Sequence, residues 1–138
     1  MQVLLMRPFV KAFVTALAAI GYCTSAFAAE TRVVPANRPS PIFFYYTAAE
    51  DTCYSGGKPK VHITRKPEHG SITSSWKPFR MGKESGKCAG KPMHGMLIVY
   101  KPDPGYHGTD KVSIIFSGAV MSGYLLRDKE WKVDITVK

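Results

Sequence analysis

Residues 100–116 read YKPDPGYHGTDKVSIIF, and this stretch decides the fold. A strand runs into Tyr100-Lys101, and Pro102-Asp103-Pro104-Gly105 then turns the chain. The two prolines forbid helix, while Gly105 admits the positive φ that a sharp turn requires. Tyr106 is placed to lay its ring on the core and turn its hydroxyl to backbone. Gly108 lets the backbone bend, and Asp110 is placed to accept amide hydrogens in the turn. Val112, Ile114 and Phe116 then alternate with Lys111 and Ser113, the period of a strand with one buried face.

Working outward, most of the chain reads the same way. Met96–Lys101 (MLIVYK) is apolar enough for a strand buried on both faces. Lys60–Arg65 (KVHITR) alternates, with Val61 and Ile63 on one face and His62 and Thr64 on the other. Pro67–Gly70 is a turn, and Ser71–Ser74 a short strand. Ile42–Thr47 (IFFYYT) is aromatic and strand-forming. Before it, Ala29–Pro41 is a proline-rich extended lead-in with at most an edge strand at Arg32–Val34. Ala48–Lys58, with Gly56-Gly57, is a loop. The lysine-, glycine- and proline-rich stretch Trp76–Lys91 reads as a long loop or irregular hairpin. Downstream come a loop at Ser117–Gly123, a strand candidate at Tyr124–Leu126, a charged turn at Arg127–Glu130 and a final strand at Val133–Val137. No sustained helical period follows residue 28. The sum is an all-β chain, with one sandwich of about seven strands over residues 42–138.

The central stretch resembles the signature of bacterial Ig-like and cadherin-like domains of exported and surface proteins. The matching positions are Tyr100, Pro102, Pro104, Gly105, Tyr106, Gly108, Thr109 and Asp110, followed by Val112, Ile114 and Phe116. Pro67–Ile72 (PEHGSI) is similar to the segment that precedes this signature in those domains. With the last strand, the resemblance covers residues 59–138. It implies an Ig-like β-sandwich used for recognition or adhesion. The acidic loop that would suit calcium is missing, since Ser117-Gly118-Ala119-Val120 carries no carboxylate.

The N-terminus has the order of an export signal. Arg7 and Lys11 precede the apolar run Ala12–Ile20, Gly21 breaks it, and Ala26-Phe27-Ala28 forms an A-x-A cleavage site. The run is too short to span a bilayer. Residues 1–28 are therefore expected to leave, and the remaining 110 are the size of one domain. No transmembrane segment is expected in that mature chain. The signal takes two positive charges and no negative ones, so the formal charge of +9 becomes +7. Export to the periplasm or cell exterior makes nucleic acid an unsuitable partner and an anionic glycan or another envelope protein a suitable one. The signal also takes Cys23, leaving Cys53 and Cys88, whose wide spacing in an oxidising compartment reads as a structural disulfide.

Chemical motifs are sparse. Met93, His94 and Met96 offer thioethers and an imidazole, donors that suit copper. Met is also a common core filler, so these three are secondary candidates for metal handling. His62, His69 and His107 occupy a polar strand face and turns, without zinc-site spacing. No nucleophile elbow or metalloprotease motif occurs, and neither catalysis nor a cofactor is expected. Trp76, Lys77, Phe79 and Arg80 combine aromatic and basic side chains and form the expected recognition element. The reading is an exported, non-enzymatic binding module, with periplasmic copper handling as the alternative.

Overall fold

A computed structural model describes residues 29–138; the expected export signal lies outside the described residues. The described residues form nine strands: β1 (Glu30–Val34), β2 (Ser40–Tyr45), β3 (Lys60–Arg65), β4 (Gly70–Arg80), β5 (Pro92–Pro102), β6 (Gly108–Ser117), β7 (Val120–Met121), β8 (Tyr124–Leu125) and β9 (Lys129–Val137). Two short 3₁₀ turns, broken at Gly86, occupy Lys83–Cys88.

Seven of the strands make two sheets, ordered β1-β9-β6-β3 and β2-β5-β4, while β7 and β8 form a separate small hairpin. In each sheet the neighbours are antiparallel, except that β1 runs parallel to β9. This is the strand order of an immunoglobulin-type sandwich, with the first strand placed beside the last. The proline-rich lead-in is thus part of a sheet. At its start the Glu30 carboxylate accepts a hydrogen bond from the indole N–H of Trp131, which ties β1 to β9, and another from Arg32 of its own strand. The Trp131 bond is the main cause holding Glu30 below its ordinary pKa, against the opposing effect of burial and with Arg32 assisting.

The core lies between the sheets and follows the alternation in the sequence. Val112, Ile114 and Phe116 of β6 and Trp131, Val133, Ile135 and Val137 of β9 meet Ile42 of β2 and Met96, Ile98 and Tyr100 of β5. A register shift between Pro41 and Phe43 lets Ile42 and Phe43 both reach this core. The Phe43 ring stacks on Trp131 at 4.2 Å and Tyr45 on Phe116 at 4.6 Å, joining the two sheets.

Three expectations need correction. Over Met96–Lys101, β5 is buried on one face only: Leu97 and Val99 are half-buried, because no further layer covers that part of the sheet. In β3, Val61 packs on the core, but Ile63 is exposed where the register with β6 shifts before Arg65. Ser71–Ser74 is the middle of an eleven-residue strand that pairs without interruption with β5. Pro78 does not stop it, because β4 is a sheet edge and one face of its backbone needs no partner.

The Tyr100–Asp110 stretch does the work its chemistry promised, and more. Gly105 and Gly108 take φ of 74° and 142°. The Tyr106 hydroxyl donates to the Thr109 carbonyl at 2.7 Å, and its ring stacks on His69 at 4.2 Å. The buried Asp110 carboxylate accepts from the amides of Lys111, Glu68 and His69 at 2.8–2.9 Å, and from the Tyr100 hydroxyl at 3.1 Å. Burial pushes this carboxyl up, but the three amides and the phenol outweigh it and hold the pKa below the ordinary aspartate value. The Tyr100 hydroxyl moves up instead, through burial first and its bond to Asp110 second.

Asp110 is therefore expected to favour the folded state as an anion. A depressed folded pKa gives stability that is present above the unfolded value of about 3.9 and lost as pH falls through the lower folded value. Asp110→Asn, measured by urea denaturation across pH, should cost about 2–4 kcal/mol at neutral pH. It should also flatten the acid limb below about pH 4, and an unchanged limb would show that the carboxylate is not the group responsible.

Candidate interaction surface

The strand order brings three loops to one end of the sandwich: residues 46–59 between β2 and β3, 81–91 between β4 and β5, and 118–128 between β6 and β9. In sandwiches of this type such loop clusters are the usual place for recognition.

Each loop is ordered by its own hydrogen bonds. In the first, Ala48 bridges Ser55, Ala49 N–H donates to the Tyr54 carbonyl at 3.0 Å, and Gly56 N–H donates to Thr47 at 2.7 Å. The second is closed where Gly90 N–H donates to the Met81 carbonyl at 2.9 Å and Arg80 donates to the Gly90 carbonyl at 2.8 Å. The third is the β7–β8 hairpin, turned by Ser122 and Gly123, both at positive φ, as a two-residue hairpin requires.

The loops are also fastened to one another. The expected Cys53–Cys88 disulfide joins the first to the second, with Cα atoms 5.4 Å apart. Lys87 Nζ reinforces it by donating to the Asp51 carbonyl at 2.9 Å. Gly57 N–H donates to the Val120 carbonyl at 2.7 Å and so joins the first loop to the hairpin. Between the first two loops lies a cleft of about 450 Å³, lined by Tyr46, Ala49, Glu50, Met81, Glu84 and Cys88 among others.

What this end presents is apolar as well as polar. Tyr124 is 77% exposed, and Leu125 and Tyr54 are each 73% exposed. Side chains of this size so open to water have no packing role within the chain. They leave apolar area open to water at this end of the chain.

The recognition element expected from sequence is dispersed. Trp76, Lys77, Phe79 and Arg80 stand in β4 rather than in a loop. Register places Trp76 and Phe79 on opposite faces of the sheet. Trp76, paired with Met96, packs on the core and stacks with His94, ring centroids 5.9 Å apart. Phe79, paired with Met93, joins Phe44 and Tyr46 in an aromatic cluster on the outer face, at 5.0 Å from each. Lys77 and Arg80 are exposed.

Met93, His94 and Met96 are likewise separated. Met93 is buried on the outer face, Met96 is buried in the core, and His94 is exposed. Register puts Met93 on the face opposite His94 and Met96, so the three do not share one side of the sheet. His62, His69 and His107 are exposed.

Sequence reasoning passed over Tyr54, Tyr124 and Leu125. For Tyr124 and Leu125 the signal was present in Ser122-Gly123, a hairpin-turn pair between two short apolar stretches; nothing of the kind flanks Tyr54.

No family model and no curated protein sequence matches the chain. Among solved structures it is similar to Amebosin, known in solution, at 11% identity over 78% of this chain and 88% of that one, with a TM-score of 0.42.

If the disulfide organises this end, replacing both Cys53 and Cys88 by Ser should lower stability by about 3–4 kcal/mol for a loop of this span. Hydrogen exchange should rise in residues 47–56 and 81–91 while β6 and β9 keep their protection. Uniform loss of protection across both regions would instead mean that the bridge supports the whole sandwich.

Proposed function

We propose that this chain is an exported, non-enzymatic binding module that engages another protein of the cell envelope or exterior through its three-loop end. The observation that carries the reading is the exposure of Tyr54, Tyr124 and Leu125 on loops fastened to one another by the disulfide and by the Gly57–Val120 bond. A pre-ordered surface forfeits less entropy when a partner docks, and exposed tyrosines supply contact area with few rotatable bonds. The export signal read at residues 1–28 and the likeness of Tyr100–Asp110 to exported Ig-like domains support the same reading. So does the disulfide, which fits an oxidising compartment. Among the described residues no helix is long and apolar enough to cross a membrane.

Tyr124→Ser with Leu125→Ser should lower retention of the protein on envelope fractions severalfold and leave Tm unchanged, because neither side chain packs on the core. Retention that persists in this variant but vanishes on raising salt would assign binding to scattered lysines and an anionic glycan instead. Retention unaffected by either change would remove the loop end from the account.

A further inference from the structure

The two sheets have four edge strands, β1, β3, β2 and β4, and these are not equally protected. A free edge offers unpaired N–H and C=O groups to any strand that approaches. Exported and cytosolic proteins alike blunt such edges with charge, bulges, proline or brevity.

Three of the edges carry such devices. β1 is five residues long and bears Glu30 and Arg32. β2 has Pro41 and a register shift, and the Arg32 Nε donates to its Ile42 carbonyl at 3.0 Å. β3 carries Lys60 and Arg65 and is irregular between Ile63 and Arg65. β4 differs from all of them. It is eleven residues long, pairs with β5 at every position without a shift, and from Gly70 to Trp76 (GSITSSW) has neither a charge nor a proline. Lys77, Pro78 and Arg80 guard only its last third. Among the described residues, positions 71–79 make no backbone hydrogen bond beyond the β5 ladder.

We propose that the Gly70–Trp76 edge of β4 is a self-association strand, pairing antiparallel with the same strand of a second copy of this chain. The two β2-β5-β4 sheets would then join into one of six strands around a two-fold axis. A second copy fits because the segment is complementary to itself. With the axis at Thr73, Ser71 lies opposite Ser75 of the second copy, Ile72 opposite Ser74, and Gly70 opposite Trp76. Small hydroxyl side chains therefore face one another, a favourable cross-strand pairing, and no like charges meet within the segment. Both β4 loops stay clear of the axis, and in the antiparallel pair the two loop ends point in opposite directions, so each stays open in the dimer.

Sedimentation of the purified protein over a range of concentrations tests this. A reversible monomer–dimer equilibrium is expected. Thr73→Lys, which sets two ammonium groups against each other at the axis, should weaken the dimer at least tenfold without lowering Tm. His62→Lys on the β3 edge should leave it unchanged. The loop-end variant Tyr124→Ser with Leu125→Ser should also dimerise normally, which keeps this test separate from that of the loop surface. A protein that stays monomeric throughout, or a dimer indifferent to Thr73→Lys, would overturn the proposal.

Discussion

The carboxylate of Asp110 is the interaction on which the sandwich turns. It is buried, and each of its bonds reaches a different part of the chain: its own strand through Lys111, the β3–β4 turn through Glu68 and His69, and the opposite sheet through Tyr100. A buried carboxylate is costly unless its lone pairs are met, and here three amides and a phenol meet them. The consequence is geometric. The β3–β4 turn is the crossing from one sheet to the other, and holding its two amides on β6 fixes where β4 starts and thus how the sheets are set face to face. Gly70 follows directly, and a side chain there would strike the Tyr100 ring and the Lys101 carbonyl, each 2.6 Å from where its Cβ would stand. One short stretch thereby makes the turn, supplies the hub and demands the glycine.

The other end of the molecule is held by different means. Among the described residues no buried charge organises it. A disulfide, the Lys87–Asp51 bond and the Gly57–Val120 bond connect loops whose side chains remain largely open to water. In the polar hub the Asp110 carboxylate takes up the amides of Glu68, His69 and Lys111 and the Tyr100 hydroxyl. A covalent clip suits an end that must be ordered and yet leave its polar and apolar groups available. The partition between a closed end and a presented one follows from where the chain spends its hydrogen bonds.

The sandwich was legible because its evidence is local and periodic. Alternation in Val112–Phe116 and Val133–Val137 states which face is buried, and the proline-glycine turn before Tyr106 states where the chain reverses. Cys53 and Cys88 were paired by elimination once Cys23 was assigned to the export signal. What escaped was whatever depends on neighbours distant in sequence. Residues 76–80 read as loop because lysine, proline and glycine dominate from there to residue 91, and composition does not reveal that β5 lies alongside to receive them. The candidate site failed for the same reason. Trp76 and Phe79 lie close together in sequence, and only the pleat of a strand shows that they point to opposite sides. Tyr124 and Leu125 were visible as a short strand, but their exposure is a fact of the fold.

Charge placement connects these points. The described chain is basic, and that excess first invites thought of an anionic partner. Part of it sits on the sheets themselves: Arg32 over the β2 edge, Lys60 and Arg65 on the β3 edge, and Lys111 and Lys132 on the central strands β6 and β9 in ion pairs with Asp134 and Glu130. At the edges, lysine and arginine keep strands from pairing with strangers, a duty that follows from the sheet and requires no ligand. The same account makes β4 informative. β3 carries its own cations and β2 lies under Arg32 with a proline and a register shift, whereas the seven uncharged residues that open β4, the longest edge, have no such guard, and an edge of that kind is where contact with another strand is tolerated.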